Sequence, residues 1–217
     1  MNFGLDDAPT AEDLSIEDMA KLSEEYGIIP QDLDGETPLR DLQDSETPSK
    51  ATKKGNYWIL HGAQDCHDYC AANGILTPDK TTEADLPATD HETVRELDRE
   101  ALEKGELGGK WNVFLSEAEV DATWECVKSQ IDKNVLYRAK VSTKWSREES
   151  GHEEHVIVVY TPNYFDESDL FRVREALREQ CGIEQVLYYK PDFWTLKGIY
   201  AGTAKEYGLP GASRYSG

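Results

Sequence analysis

The sequence predicts an α+β fold in which helices pack against one curved antiparallel sheet. Four segments in the second half of the chain carry the β-branched and aromatic residues typical of strands. Two segments between them repeat apolar residues at three- and four-residue spacing, as amphipathic helices do. The resulting order is β-α-β-β-α-β, with strands over 110–115, 135–143, 155–161 and 185–190 and helices over 117–132 and 167–180.

Three further elements precede this core. The run YWILH, beginning at Tyr57, predicts a strand, and residues 64–73 predict a helical turn. Residues 91–104 place Val94 and Leu97 on one stripe, and Gly105 ends the helix. Together these elements predict a single α+β domain over 56–200, followed by a C-terminal tail over 201–217.

Strand alternation assigns faces to the side chains of the core. In 135–143, Ala139 and Val141 fall on the face that packs on helices, whereas Arg138 and Lys140 fall on the opposite, exposed face. Trp111, in the first strand of the core, shares a face with Val113 and Leu115. Trp124 lies on the apolar stripe of the helix that Ser116 caps. We therefore interpret both tryptophans as packing residues.

The chain is strongly acidic: 217 residues carry 23 basic and 43 acidic side chains, a net charge of −20. Most of the excess acid lies in the first half. This charge disfavours a general nucleic-acid footprint and adhesion to an anionic membrane surface. No apolar run is long enough for a transmembrane helix, and the N-terminus does not resemble a signal peptide. We expect a cytoplasmic protein, with a nuclear pool left open, and no membrane partner.

Residues 1–55 form the acidic arm, which is rich in Pro, Ser, Thr and charge. Too few large apolar side chains are present to offset the chain entropy, so we expect a largely disordered segment. The run SIEDMAKLSEEYGI is an exception, because Ile16, Met19, Leu22 and Tyr26 recur at helical spacing. It predicts either a marginal helix or a helix that docks a protein partner.

The cysteines raise the question of a metal site or a nucleophile. Cys66, Cys70, Cys126 and Cys181 lack a secretory context, so we expect free thiols. His61, Cys66, His67 and Cys70 offer nitrogen and sulfur ligands, but without the paired spacing of a zinc site. Cys66 and Cys70 are equally typical of two buried residues on a helical turn. No phosphate-loop, nucleophile-elbow or zinc-protease motif is present. We therefore expect no metal and no cofactor.

Five segments together resemble a known family. They are Gly109-Lys110-Trp111, Val135 to Lys140, Val158 to Pro162, Phe171 to Leu177, and Tyr189-Lys190-Pro191-Asp192. Over about residues 108–200 the chain resembles the eukaryotic family of the basophilic leukemia expressed protein. More distantly it is similar to the mRNA cap-binding translation initiation factor 4E.

The resemblance implies the fold of that factor, a curved antiparallel sheet with helices on its convex back. In the factor, basic residues of a segment similar to VLYRAK bind the cap phosphates. Carried onto this sequence, Arg138 matches the phosphate-binding arginine and Lys140 a neighbouring basic position. Arginine suits this role because its planar fork binds phosphate through two hydrogen bonds.

The sequence departs from the factor where the methylated base would stack. The factor holds the base between two tryptophans, with a glutamate after the second. Residues 91–107 contain no tryptophan, so the second ring and its glutamate are absent. Tyr57 and Trp58 are the candidates for the first ring, since neighbours on a strand face opposite ways. A cation stacked on one ring loses part of its cation–π energy, so we expect weak cap binding.

These observations favour a non-enzymatic binding protein. Its ligand would be RNA or a nucleotide, held on the concave sheet face by Arg138 and Lys140, with Tyr57 or Trp58 stacking a base. A second hypothesis is an interaction scaffold that recruits a protein partner through the acidic arm and the helical back. A third is an enzyme that uses the region of Cys66, His67 and Cys70.

Overall fold

A computed structural model describes residues 47–62 and 65–217. In these residues six strands form one antiparallel sheet in the order β1-β3-β4-β2-β5-β6, which does not close on itself. The strands are β1 (Trp58–His61), β2 (Gly109–Leu115), β3 (Arg138–Ser142), β4 (His155–Thr161), β5 (Tyr188–Pro191) and β6 (Tyr215–Ser216). The α+β class with an antiparallel sheet is therefore confirmed.

Six α-helices accompany these strands in the described residues. They are α1 (Cys66–Asn73), α2 (Glu92–Lys104), α3 (Glu117–Asp132), α4 (Lys144–Glu149), α5 (Glu167–Cys181) and α6 (Asp192–Leu196). Gly105 and Gly182 end α2 and α5 with φ values of 71° and 67°, a left-handed geometry that glycine adopts without strain. No helix in the described ranges is long and apolar enough to span a bilayer.

The chain divides into two compact units. Among the described residues, unit 1 comprises 47–62, Asp65, Phe114–Ser129 and Arg138–Ile157. Unit 2 comprises Cys66–Val113, Gln130–Tyr137 and Val158–Gly217. The domain predicted over 56–200 is thus built from two interleaved sets of segments.

Unit 1 is organised by the pairing of β1 with β3, which sets Trp58 opposite Ser142 and Leu60 opposite Lys140. The start of the described chain packs on this unit, although the sequence assigns residues 47–55 to the arm. The amide of Lys144 donates to the Pro48 carbonyl at 2.9 Å, and Ala51 is buried. The folded part of the chain therefore begins before residue 56. The helix predicted within 15–28 lies outside the described residues.

Unit 2 contains the pairing of β2 with β5 and of β5 with β6. Trp111 is fully buried here, and its ring N–H donates to the Leu170 carbonyl at 3.0 Å. The segment 201–217, predicted as a tail, supplies β6 and the buried ion pair of Arg214 with Asp98 at 3.3 Å. The folded part of the chain therefore also extends beyond residue 200.

The strand predicted over 135–143 begins three residues late, at Arg138. Asn134 has a φ of 61°, and the amides of Val135 and Leu136 both donate to the Gln130 carbonyl at the end of α3. Because these two amides donate to the last turn of α3, they do not form the hydrogen bonds of a β-strand. Between the strands predicted over 135–143 and 155–161 the structure also contains α4, for which the sequence analysis predicts no helix. The Thr143 hydroxyl caps its first turn by accepting from the Ser146 amide at 3.0 Å.

Candidate functional site

Unit 1 brings together two of the predicted site residues, Trp58 and Lys140. Their strands are paired, and the Lys140 ammonium lies 4.2 Å from the centre of the Trp58 ring. Lys140 is buried, only 5% exposed, so the prediction that it stands on an exposed face is wrong. The reason is that its aliphatic stem and charge pack along the ring of its neighbour on β1.

Arg138 is half-buried at the start of β3. Alternation along the strand places it on the same face as Lys140. The opposite face of β1 and β3 carries Ile59 and Val141, both buried. His61 shares that opposite face and meets the Trp124 ring of α3 edge-on, with centroids 6.5 Å apart. Arg138 and Lys140 are therefore on the face that turns away from α3.

Tyr57, the other candidate for base stacking, is half-buried just before β1. Its ring meets Trp145 of α4 edge-on, with centroids 4.7 Å apart and planes inclined by 79°. This contact occupies the ring in a T-shaped pair. Of the two candidates, Trp58 is the one that the structure brings to a predicted basic residue.

Unit 2 carries a second basic and aromatic cluster, which we call the lysine pair: Lys110 on β2 and Lys190 on β5. The two are direct partners in the antiparallel register, so their side chains leave the sheet side by side. Lys110 forms a short ion pair with Asp192 and donates to the Thr195 hydroxyl at 3.2 Å. Its ammonium also lies 5.9 Å from the Tyr160 ring centre.

Lys190 has different neighbours. Its ammonium lies 3.9 Å from the centre of the Tyr200 ring, and that tyrosine is 49% exposed. Burial, and next the positive charge of Lys110, lower the pKa of Lys190 to about 8, against the raising effect of Asp192. With this pKa roughly one fifth of the Lys190 side chains are neutral at pH 7.4, far more than for an ordinary lysine.

Sequence reasoning missed the lysine pair as a site. Strand alternation places Lys110 on the face opposite Trp111, and Lys190 belongs to a segment that resembles the family. The register that sets one lysine against the other joins residues 80 positions apart in the chain. A pairing between β2 and β5 would have been the signal, and periodicity within each strand does not contain it.

The region considered for metal or nucleophile chemistry is a packed helix. Tyr69 and Cys70 are buried together with Ile75 and Tyr137, and Cys66 packs against them. The contact with the Cys66 thiol, followed by burial, raises the pKa of the Cys70 thiol, which disfavours the reactive thiolate. His67 is exposed, with its ring 3.9 Å from the Asp79 carboxylate. No group of three or more metal-binding side chains occurs within 47–62 and 65–217.

The expectation of four free thiols is wrong for two of them. Cys66 and Cys70 are free, whereas Cys126 and Cys181 are disulfide-bonded. The sequence does not indicate this, because both cysteines belong to helical segments and no local motif marks either one as disulfide-forming.

One protein family matches most of the chain. The model of the family described as basophilic leukemia-expressed protein Bles03 matches residues 43–197 of the 217. The chain belongs to this family. The match covers every predicted site residue and both members of the lysine pair.

Solved structures similar to this chain include eIF4E proteins. One is C. elegans eIF4E-3 with the 4E-binding protein Mextli and a cap analog, at 12% identity and a TM-score of 0.36, over 60% of this chain and 76% of that one. Another is a schistosome eIF4E with m7GpppG and 4E-BP, at 14% identity and a TM-score of 0.37, over 69% and 79%. The family match confirms the predicted resemblance to the family of the basophilic leukemia expressed protein.

Proposed function

We propose that this protein is a non-enzymatic binding protein that holds a phosphate-bearing ligand, an RNA or a nucleotide, on the face of β1 and β3 that carries Arg138. The observation that carries the proposal is the grouping of Trp58, Arg138 and Lys140 on that face. Two cations beside an indole combine the groups that recognise a phosphate and a base.

The acidity of the whole chain makes a group of two cations a distinct candidate for anion binding. In a protein of net charge −20, an arginine and a lysine on one strand face form a local attraction for an anion. The geometry favours the arginine as the anchor, since Lys140 is buried against Trp58 while Arg138 is half-buried at the start of β3. We assign phosphate binding to Arg138 and the support of the Trp58 ring to Lys140.

The same geometry disfavours a methylated cap as the ligand. A methylated guanine is positively charged and stacks on indole through cation–π attraction. The Lys140 ammonium already lies over the Trp58 ring at 4.2 Å, so a cationic base would compete with a tethered cation for one ring. A neutral base on an anionic phosphate chain avoids that competition.

The test measures binding of GTP, of m7GTP and of a fluorescein-labelled single-stranded RNA decamer by calorimetry and anisotropy. Arg138→Glu should weaken whichever probe binds by about 1.5–3 kcal/mol, roughly 10- to 150-fold, the range of a charged hydrogen bond. The loss should shrink at high salt because exposed charges are screened. Circular dichroism and a melting curve establish that the variant folds.

Arg99→Glu is the matched control, because it makes the same charge change on a side chain that is 49% exposed in unit 2. It should change affinity by less than about threefold. Failure of the wild-type protein to bind RNA or GTP, or equal affinity of folded Arg138→Glu, would overturn the proposal. A dissociation constant below about 1 μM for m7GTP, tighter than for GTP, would overturn the argument against the cap.

A further inference from the structure

The lysine pair of unit 2 is an unusual arrangement for neighbouring strands. Like charges directly opposite each other in an antiparallel pair repel and destabilise the sheet. Lys110 and Lys190 occupy such directly opposed positions on β2 and β5. The next register pair on the same face of the sheet, Asn112 and Tyr188, is uncharged and does not relieve the repulsion.

The nearby carboxylate, that of Asp192, forms an ion pair with only one of the two lysines. Asp192, at the start of α6, forms its short ion pair with Lys110, which also donates to Thr195. The Lys190 ammonium instead lies over the Tyr200 ring, and no carboxylate of residues 47–62 or 65–217 lies within ion-pair distance of it. Burial and the facing cation therefore favour the neutral amine of Lys190, consistent with its pKa of about 8.

The surroundings leave Lys190 within reach of a small reagent. Tyr188 and Tyr200 are 47% and 49% exposed, so the rings beside Lys190 border on solvent. Lys190 itself is half-buried, which combines partial desolvation with access. A lysine amine in this setting is an activated nucleophile.

We propose that Lys190 is a site of covalent acylation, modified by activated acyl compounds of the thioester class. In the reaction the amine lone pair of Lys190 forms a bond to the thioester carbonyl carbon, and the carbon–sulfur bond breaks. The nitrogen loses a proton and the departing sulfur gains one, so the products are an amide and a free thiol. No oxidant or further reactant is required.

The modification has a physical consequence for unit 2. Acylation removes the charge of Lys190 and with it the repulsion from Lys110, so the modified register pair is more compatible with the sheet. It also removes one positive charge from an already acidic chain. The site lies in unit 2, and its assignment does not depend on the RNA or nucleotide binding proposed for unit 1.

The test incubates the full chain with S-acetyl-N-acetylcysteamine, a small acetyl thioester, between pH 6 and 10. Mass spectrometry of proteolytic peptides then gives the acetylation rate of each lysine. We expect Lys190 to react about tenfold or more faster at pH 7.5 than Lys205, an exposed lysine of the same unit. Its rate should level off above about pH 8, where the amine is already mostly neutral.

The variant Lys110→Met tests whether the facing lysine causes the high reactivity of Lys190. It removes the facing charge and frees Asp192 for Lys190, so the levelling of the Lys190 rate should move to higher pH and its rate at pH 7.5 should fall several-fold. Lys104→Met, an exposed change on α2, is the matched control and should leave the Lys190 rate unaltered. Equal wild-type rates for Lys190 and Lys205 would overturn the proposal. An unchanged Lys190 profile in folded Lys110→Met would overturn the role of the pair.

Discussion

Trp111 and Trp124 are both buried, one in each unit, yet their ring N–H groups differ in hydrogen bonding. Trp111 is 0% and Trp124 1% exposed, so the two rings contribute similar apolar burial. The Trp111 N–H donates to the Leu170 carbonyl at 3.0 Å, whereas the Trp124 N–H is buried with no hydrogen-bond partner in the described part of the chain. Only Trp111 has its polar atom satisfied.

This difference shows where sequence patterns stop being informative. Apolar periodicity predicts that a ring is buried, and it does so correctly for both tryptophans. The partner of the ring nitrogen depends on which backbone carbonyl packs beside it, and for Trp111 that carbonyl is 59 residues away on α5. A buried N–H without a partner costs about 1–3 kcal/mol, so the two sites differ in energy although they look alike in the sequence.

The largest expected effect tests what the two rings have in common. Trp111→Ala and Trp124→Ala should each lower the free energy of unfolding by about 3–5 kcal/mol, because each opens a large cavity in a packed core. Urea unfolding followed by circular dichroism measures both. Trp58→Ala is the comparison variant, and its half-buried ring should cost less. A loss below about 1 kcal/mol at Trp111 would contradict its burial and the face assigned to it on β2.

A smaller change separates the two rings. Phenylalanine keeps most of the apolar surface and removes only the N–H and part of the ring. Trp111→Phe loses a buried hydrogen bond as well as volume, whereas Trp124→Phe also removes an unsatisfied donor. Trp111→Phe should therefore be more destabilising than Trp124→Phe, by about 1 kcal/mol. Equal losses in matched urea titrations would mean that the hydrogen bond to Leu170 contributes nothing net.

The predicted helices and strands agree best with the structure where local chemistry is sufficient. The strand 155–161 has the predicted bounds, and Glu117–Asp132 matches the helix predicted after Ser116. The errors occur where a distant partner decides. The run VLY before Arg138 has the composition of a strand, but its first two amides bond back to Gln130. The short β6 exists through its pairing with β5, about 26 residues earlier, and its own two residues carry no periodicity.

The candidate site shows the same limit. Alternation correctly places Ala139 and Val141 in the core and Lys140 on the other face, but it does not reveal that Trp58 covers Lys140. That contact requires the register of β1 against β3. The lysine pair requires the register of β2 against β5, which the sequence also leaves open. In both units the residue types could be predicted, whereas their juxtaposition depends on strand pairing.

The smallest effect concerns a second buried nitrogen of unit 1, that of His155. The His155 ring is fully buried, and its Nδ1 donates to the Ser142 carbonyl at 2.9 Å. Its Nε2 has no hydrogen-bond partner among the described residues. Burial lowers the pKa of His155, an effect that the Ser142 carbonyl only partly opposes and that the nearby Arg147 charge reinforces. Protonation would therefore create a buried charge and turn Nε2 into a donor that has no acceptor among the described residues.

The sign of the resulting pH dependence follows from proton counting. A histidine in the unfolded chain titrates near pH 6.5, above the lowered pKa of the folded protein, so the unfolded state binds more protons on the acid side. Stability from His155 is complete above about pH 6.5 and is lost as the pH falls, with a slope of at most about 1.4 kcal/mol per pH unit. His155→Asn keeps a side-chain donor for Ser142 and cannot titrate, so the wild-type minus variant free energy should decline between pH 7 and 5. His152→Asn, an exposed change in the same unit, should show no such decline. If this difference in the free energy of unfolding stays constant between pH 7 and 5, protonation of the buried His155 ring has no cost. In that case the lack of a hydrogen-bond partner for a buried nitrogen in unit 1 affects stability less than the comparison of Trp111 with Trp124 implies.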